Sequence, residues 1–229
     1  MKKKYVIIGL GDLGRNLAHY LGKSNSEVLA IDMDDEAVND VKDMVDSAVK
    51  ADSTDEKALT MLGIDDTVDA AIIAIGPDKF ENTILTSVIL LEKKVKKVVA
   101  RASSELQQKI LTKLGVHQVL IPEVQIAQQM INLVTNKDVL NSITIGEDYN
   151  IVDLKTPRTF VGKSLQELDL RIRYNVNLIT IRRMSKAFSG SSKEPVEQIY
   201  GVPTASTILE ENDVLIVFGR DKDIKKIVD

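Results

Sequence analysis

The 229-residue sequence contains no cysteine, no tryptophan and only two histidines. Without cysteine the chain has no disulfide, no thiolate nucleophile and no thiolate-held metal. His19 lies inside a helix-like stretch and His117 ahead of a strand-like run, so neither occupies the carboxyl end of a strand, where hydride transfer needs a positioned proton donor. Both read as structural or surface residues. G-x-S-x-G, H-E-x-x-H and Walker sequences are missing too. Nine aromatic residues, five Tyr and four Phe, make a poor stacking platform, and 30 basic against 34 acidic side chains give a net charge of −4 rather than a basic field. The expectation is no nucleic-acid partner. No apolar run nears the roughly 20 residues of a membrane span. Met1-Lys2-Lys3-Lys4 leads straight into strand-like residues, which predicts a cytoplasmic chain. The one lysine cluster, Glu92 to Lys97, follows an apolar helix-like segment and reads as a solvated helix cap.

The length suffices for two modest domains. From Tyr5 to about Val134 short β-rich runs (YVIIG, EVLAID, SAVKAD, DAAIIAIG, KVVARA, HQVLIP) alternate with helical stretches. Several runs are continuously apolar, as strands covered on both faces are. The fold class expected is α/β, a Rossmann-like doubly wound parallel sheet with a second, smaller α+β domain. The boundaries read as 1–121 for the first domain, 122–141 for a linking helix and 142–229 for the second domain. In that linker Val124, Ile126, Ala127, Met130, Ile131, Leu133 and Val134 cover more than one helical stripe, which predicts a crossover helix with a face left for dimerisation. The second domain shows strands in TIGEDYNIVDLK, NLITIRR and DVLIVFG and short helices near SLQELDL and KDIKKIV. Its polar Ser185 to Gln198 segment reads as a mobile hairpin loop or insertion.

The opening stretch VIIGLGDLGRNLA places Gly9, Gly11 and Gly14 between a strand and a helix. In a βαβ unit the first glycine permits the turn, the second lets backbone approach a pyrophosphate, and the third lets helix and strand pack closely. The helix start then aims the amides of Asp12, Leu13 and Gly14 at phosphate. Asp32, eighteen positions beyond Gly14 and followed by Met33, closes the second strand. A carboxylate there accepts both ribose hydroxyls of an adenosine and repels a 2′-phosphate, so NADP is disfavoured. Further contacts belong at the carboxyl ends of the other strands: Asp52 and Ser53 toward the adenine edge, Ala74, Ile75 and Gly76 after strand four, and Arg101 as counter-charge to phosphate. The dehydrogenase alternative lacks a catalytic group, which leaves a switch that binds nucleotide without transforming it. A free-standing nucleotide or redox sensor is the other alternative.

GLGDLG, AIDMD, ADSTDE, AIG, ARA and IPE, in that order, resemble the RCK (regulator of potassium conductance) domain, most of all in the cytosolic subunits of bacterial Ktr and Trk potassium uptake systems. The small unit from Ile143 to Asp229 resembles the RCK C-terminal domain. The resemblance implies Rossmann lobes paired through the crossover helix, dimers assembled into an octameric ring, and docking under a membrane-embedded potassium-translocating subunit at the inner face of the cell membrane. It implies gating by exchange of ATP against ADP or NADH against NAD, with no catalysis. It carries the phosphate loop onto Gly9, Gly11, Leu13 and Gly14, and the ribose acid onto Asp32. Arg101 takes the phosphate-facing basic position, and Glu123 lies near the dimer seam, where it approaches a terminal phosphate or a divalent cation. Where some Ktr subunits carry arginine, this chain has Asp12, which favours NAD(H) or ADP over ATP. In the C-terminal domain it implies a second site, for cyclic di-AMP, at Leu165, Asp169, Arg171, Asn177, Leu178 and Pro203, although Gln166 replaces an apolar contact there.

Overall fold

A computed structural model of the chain describes residues 2–135, 138–146, 148–185 and 196–228. They form two compact units, residues 1–124 and 125–229. The first alternates strands and helices: β1 (Lys3–Ile8), α1 (Asp12–Gly22), β2 (Ser26–Asp32), α2 (Asp35–Val41), β3 (Ser47–Lys50), α3 (Glu56–Met61), β4 (Ala70–Ile73), α4 (Phe80–Glu92), β5 (Val98–Arg101), α5 (Glu105–Lys113) and β6 (Gln118–Leu120). A 3-10 turn, Pro77–Lys79, joins β4 to α4. The strands build a parallel sheet in the order β3-β2-β1-β4-β5-β6. Successive strand residues point to opposite faces, and both faces are apolar. Val6, Ile8, Leu29 and Ile31 join one core with Leu59, Leu90 and Leu111. Ile7, Val28 and Ala30 join another with Leu10, Ala18 and Val41. Helices therefore cover both sides, which explains the uninterrupted apolar runs.

Local capping fixes where most of these helices begin. Asp34 accepts from the Glu36 amide, Asp55 from the Lys57 and Ala58 amides, and Ser104 from the Gln107 amide. Among the described residues, the starts of α1 at Gly11 and α4 at Lys79 have no side-chain cap.

Helix α6 (Pro122–Thr135) begins in the first unit, and the division between units falls after Val124. Along it Val124, Ile126, Met130, Ile131 and Val134 are exposed, Val134 to 82%. The second unit holds an antiparallel sheet in the order β10-β9-β11-β8-β7, formed by β7 (Val139–Thr144), β8 (Tyr149–Lys155), β9 (Asn177–Ser185), β10 (Val196–Ile199) and β11 (Val214–Arg220). Short helices α7 (Leu165–Leu168) and α8 (Leu170–Tyr174) precede β9, and α9 (Asp221–Val228) follows β11. Leu154, Ile181, Leu209, Leu215 and Val217 centre its core. Of the run TIGEDYNIVDLK, expected as one strand, Thr144 ends β7 and Tyr149–Lys155 form β8, antiparallel to β7, with the Ile145 and Gly146 amides bonded to the Tyr149 carbonyl. Strand β10 was not anticipated. It pairs antiparallel with β9, Val196 opposite Ser185. Most of the loop expected at 185–198 lies outside the described residues, which resume at Val196.

Candidate functional site

In this sheet β1 is flanked by β2 on one side and β4 on the other, and the helices leaving β1 and β4 start on either side of the crevice at their carboxyl ends. Such a reversal of strand order is where open α/β sheets bind ligands. A cleft of about 240 Å³ lies there, lined by Ile8, Gly9, Gly11, Ile31, Asp32, Met33, Ala51, Ser53, Ala74, Ile75, Gly76, Asp78, Lys79 and Asn82.

The glycines have separate physical tasks. Gly9 has φ +92°, and a Cβ on it would stand 2.8 Å from the Ile75 amide nitrogen. A Cβ on Gly14 would stand 1.8 Å from the Gly9 carbonyl oxygen, so α1 can approach the turn only with glycine there. Gly11 has nothing within 4 Å of its Cβ position and lines the cleft. The room is on the ligand side.

Asp32 ties the turn to β2. One carboxylate oxygen accepts the Leu10 amide at 2.6 Å and the other the Asp34 amide at 3.0 Å. Each oxygen has a further lone-pair direction, so the same carboxylate can still accept ribose hydroxyls. The uncapped start of α1, the open flank of Gly11 and this carboxylate fit a ribosyl pyrophosphate. Ser53 is buried beside the cleft, its hydroxyl 2.8 Å from that of Thr86 on α4.

Of the residues singled out from the sequence, Gly9, Gly11, Asp32, Met33, Ser53, Ala74, Ile75 and Gly76 come together in this cleft. Leu13 and Gly14 follow in the first turn of α1, outside the lining. Asp12 does not face it: its side chain is 96% exposed and pairs with Arg15 at 2.8 Å, and Arg15 also holds Asp40 at 3.0 Å. These two carboxylates raise the Arg15 pKa. Asp52 caps its own turn, accepting from the Thr54 amide and hydroxyl. Arg101, at the end of β5, forms an ion pair with Glu123, in the first turn of α6. The Glu123 pKa is held below the usual carboxylate range by its own backbone amide at that helix start, and Arg101 adds to the effect. Arg101 Nε is buried and without a hydrogen-bond partner among the described residues. Asp78, Lys79 and Asn82, which line the wall after β4, were missed. The strand-end rule would have reached them had it been carried past Gly76 through the 3-10 turn and into the first turn of α4.

Among the described residues no three His, Cys, Asp or Glu side chains gather as a metal site, and Glu123 is engaged by arginine, so the residues of one protomer do not fit a divalent cation. In the second unit Leu165 and Arg171 lie on α7 and α8, with Asp169 between them at φ +43°. Asn177 and Leu178 open β9. The Leu165 and Gln166 amides donate to the Thr207 and Ala205 carbonyls, which brings α7 to the segment that follows Pro203. None of the six is among the described residues lining a 620 Å³ cavity of this unit, which opens among Asp138, Lys155, Arg158 and Glu211.

Residues 5–122 match the TrkA-N domain and residues 151–229 the TrkA-C domain. The chain is 31% identical over 226 residues to Ktr system potassium uptake protein C of Bacillus subtilis, covering 99% of this chain and 96% of that one. It is 30% identical over 224 residues to Ktr system potassium uptake protein A of the same organism, with 98% and 95% covered. Among solved structures, the GsuK channel bound to NAD superposes with a TM-score of 0.65 at 17% identity, over all of this chain and 40% of the channel. This chain therefore spans less than half of that channel's length, and the likeness is one of fold. No helix among the described residues is long and apolar enough to cross a membrane. A TrkA-N domain followed by a TrkA-C domain, at this identity over nearly the full length of both relatives, places the chain in the family of Ktr and Trk potassium uptake proteins.

Proposed function

We propose that this chain is a cytoplasmic nucleotide sensor that regulates a membrane potassium transporter. An adenosine nucleotide binds in the β1/β4 cleft, its ribose on Asp32 and its phosphates over Gly11 at the head of α1. The supporting observation is the division of labour among the glycines: Gly9 and Gly14 are required by packing, whereas Gly11 is bare on the side where a pyrophosphate would lie. NAD(H) or ADP is favoured over ATP, because neither Asp12 nor the engaged Arg101 offers a free cation to a third phosphate. The nucleotide is sensed and not consumed.

A ligand shifts a two-state assembly only by its differential affinity for the two states. The exposed apolar face of α6 supports pairing of Rossmann lobes, with dimers building an octameric ring that docks on the membrane-embedded subunit. A divalent cation would need carboxylates from more than one chain, and cyclic di-AMP at Leu165, Asp169, Arg171, Asn177, Leu178 and Pro203 would likewise need a second copy to close its site. The test is affinity capture from native membranes with ADP, ATP, NAD or NADH present. Retention of a potassium-translocating membrane protein, altered by at least one nucleotide, is expected. A ring that binds nucleotide yet retains no membrane partner under any condition overturns the transport role.

A further inference from the structure

The charged groups around the cleft are mostly committed within the protein. Both oxygens of Asp32 accept backbone amides, Arg15 sits between Asp12 and Asp40, and Arg101 is held by Glu123. Lys79 is not committed. Among the described residues it makes no ion pair and no side-chain hydrogen bond, and it is the only basic residue in the described lining of the cleft. Two carboxylates, Asp32 and Asp78, share that lining. With this ammonium the two carboxylates are half offset, so a polyanion entering the cleft meets less repulsion than the carboxylates alone would give.

The position is an unusual one for lysine. Lys79 ends the 3-10 turn and stands as the N-cap of the 13-residue helix α4, where its side chain makes no cap hydrogen bond among the described residues. Helices α2, α3 and α5 carry Asp or Ser at the equivalent place. Pro77, at the first position of the 3-10 turn, fixes the backbone that delivers Lys79 to the rim.

We propose that Lys79 is the phosphate-pairing cation of this cleft. From the β4 side its ammonium closes on the two phosphates common to ADP and NAD, which the Gly11 backbone cradles from the β1 side. The assignment depends on an adenosine nucleotide occupying the cleft.

The experiment is titration calorimetry on full-length wild type, Lys79→Gln and Lys79→Arg with adenosine, AMP, ADP and NAD at low and moderate salt, with melting curves as a folding control. Lys79→Gln is expected to weaken ADP and NAD about tenfold and to leave adenosine within about twofold. Lys79→Arg should retain most of the ADP affinity, and the salt dependence of ADP binding should be shallower in Lys79→Gln. Unchanged ADP affinity in Lys79→Gln, or an equal loss for adenosine and ADP, overturns the assignment while the nucleotide site stands. Wild-type protein that binds none of the four ligands brings down the nucleotide site and the assignment together.

Discussion

One added methyl group, placed at three glycines in turn, separates packing from ligand binding. At Gly14 the new Cβ would lie 1.8 Å from the Gly9 carbonyl oxygen and 2.8 Å from its carbon. Helix α1 or the turn must therefore retreat by roughly 1.5 Å to regain ordinary contact. Overpacking of this kind against backbone costs roughly 3 kcal/mol. For a chain of this size that lowers the melting temperature by about 6–12 °C. Gly22→Ala is the control away from the cleft, with its Cβ 1.7 Å from the Met44 carbonyl oxygen. It should destabilise similarly while the folded fraction binds nucleotide normally. Gly11→Ala should behave in the opposite way. Its φ of −64° suits any residue and nothing lies within 4 Å. The change at the helix start therefore costs about 1 kcal/mol or less. The methyl group occupies the space a pyrophosphate needs, so affinity for ADP and NAD should fall at least about tenfold. Calorimetry beside thermal melting reads both quantities. Gly11→Ala protein that binds ADP like wild type, or Gly14→Ala protein that melts like wild type, would refute the assignment of tasks to these glycines.

In the second unit the buried Asp213 carboxylate receives two 2.7 Å bonds from Arg183, which also reaches Glu210 at 2.6 Å. Asp213→Ala leaves the guanidinium with only Glu210 and the Ile208 carbonyl as partners, and urea unfolding should show a loss of about 3 kcal/mol. Adding Arg183→Met should recover part of it, and no recovery would argue that Asp213 acts through the Glu210 amide it also accepts. The acid limb of stability follows from several carboxylates held below their ordinary pKa: Asp69 by Lys96, Glu167 by the Ser164 amide and hydroxyl of its capping box, and Asp223 by Lys226 and Asn175. In each the unfolded chain binds the proton more readily. Their contribution is therefore complete above the ordinary values of 3.8 and 4.5 and is lost as pH falls through the lower folded values. The urea midpoint should fall as pH drops below about 4.5. Asp223→Asn should remove part of that fall, and an identical acid limb in the variant would exclude Asp223 as a contributor.

Much of the fold was legible because its signals are local. Apolar runs alternating with capped helical stretches are fixed by near neighbours in the chain, and the expected parallel sheet and smaller α+β unit are both present. His19 is exposed beside Lys23, and His117 accepts the Val98 amide; neither lines the cleft. The single strand expected at TIGEDYNIVDLK misled because strand propensity continues on both sides of a turn that only the β7–β8 pairing reveals.

The sequence by itself determined the glycine turn, the acid closing β2 and the alternation of strands and helices, since each follows from spacing along the chain, whereas the order that sets β1 between β2 and β4 belongs to the tertiary structure. Only the tertiary structure decided which charges remain available to a ligand. Asp12 turns to Arg15, Arg101 is taken by Glu123, and Lys79 stands at the rim with no side-chain partner among the described residues. Partners 22 residues apart, as Arg101 and Glu123 are, meet only when β5 and the start of α6 lie side by side, and spacing within one segment holds no record of that encounter.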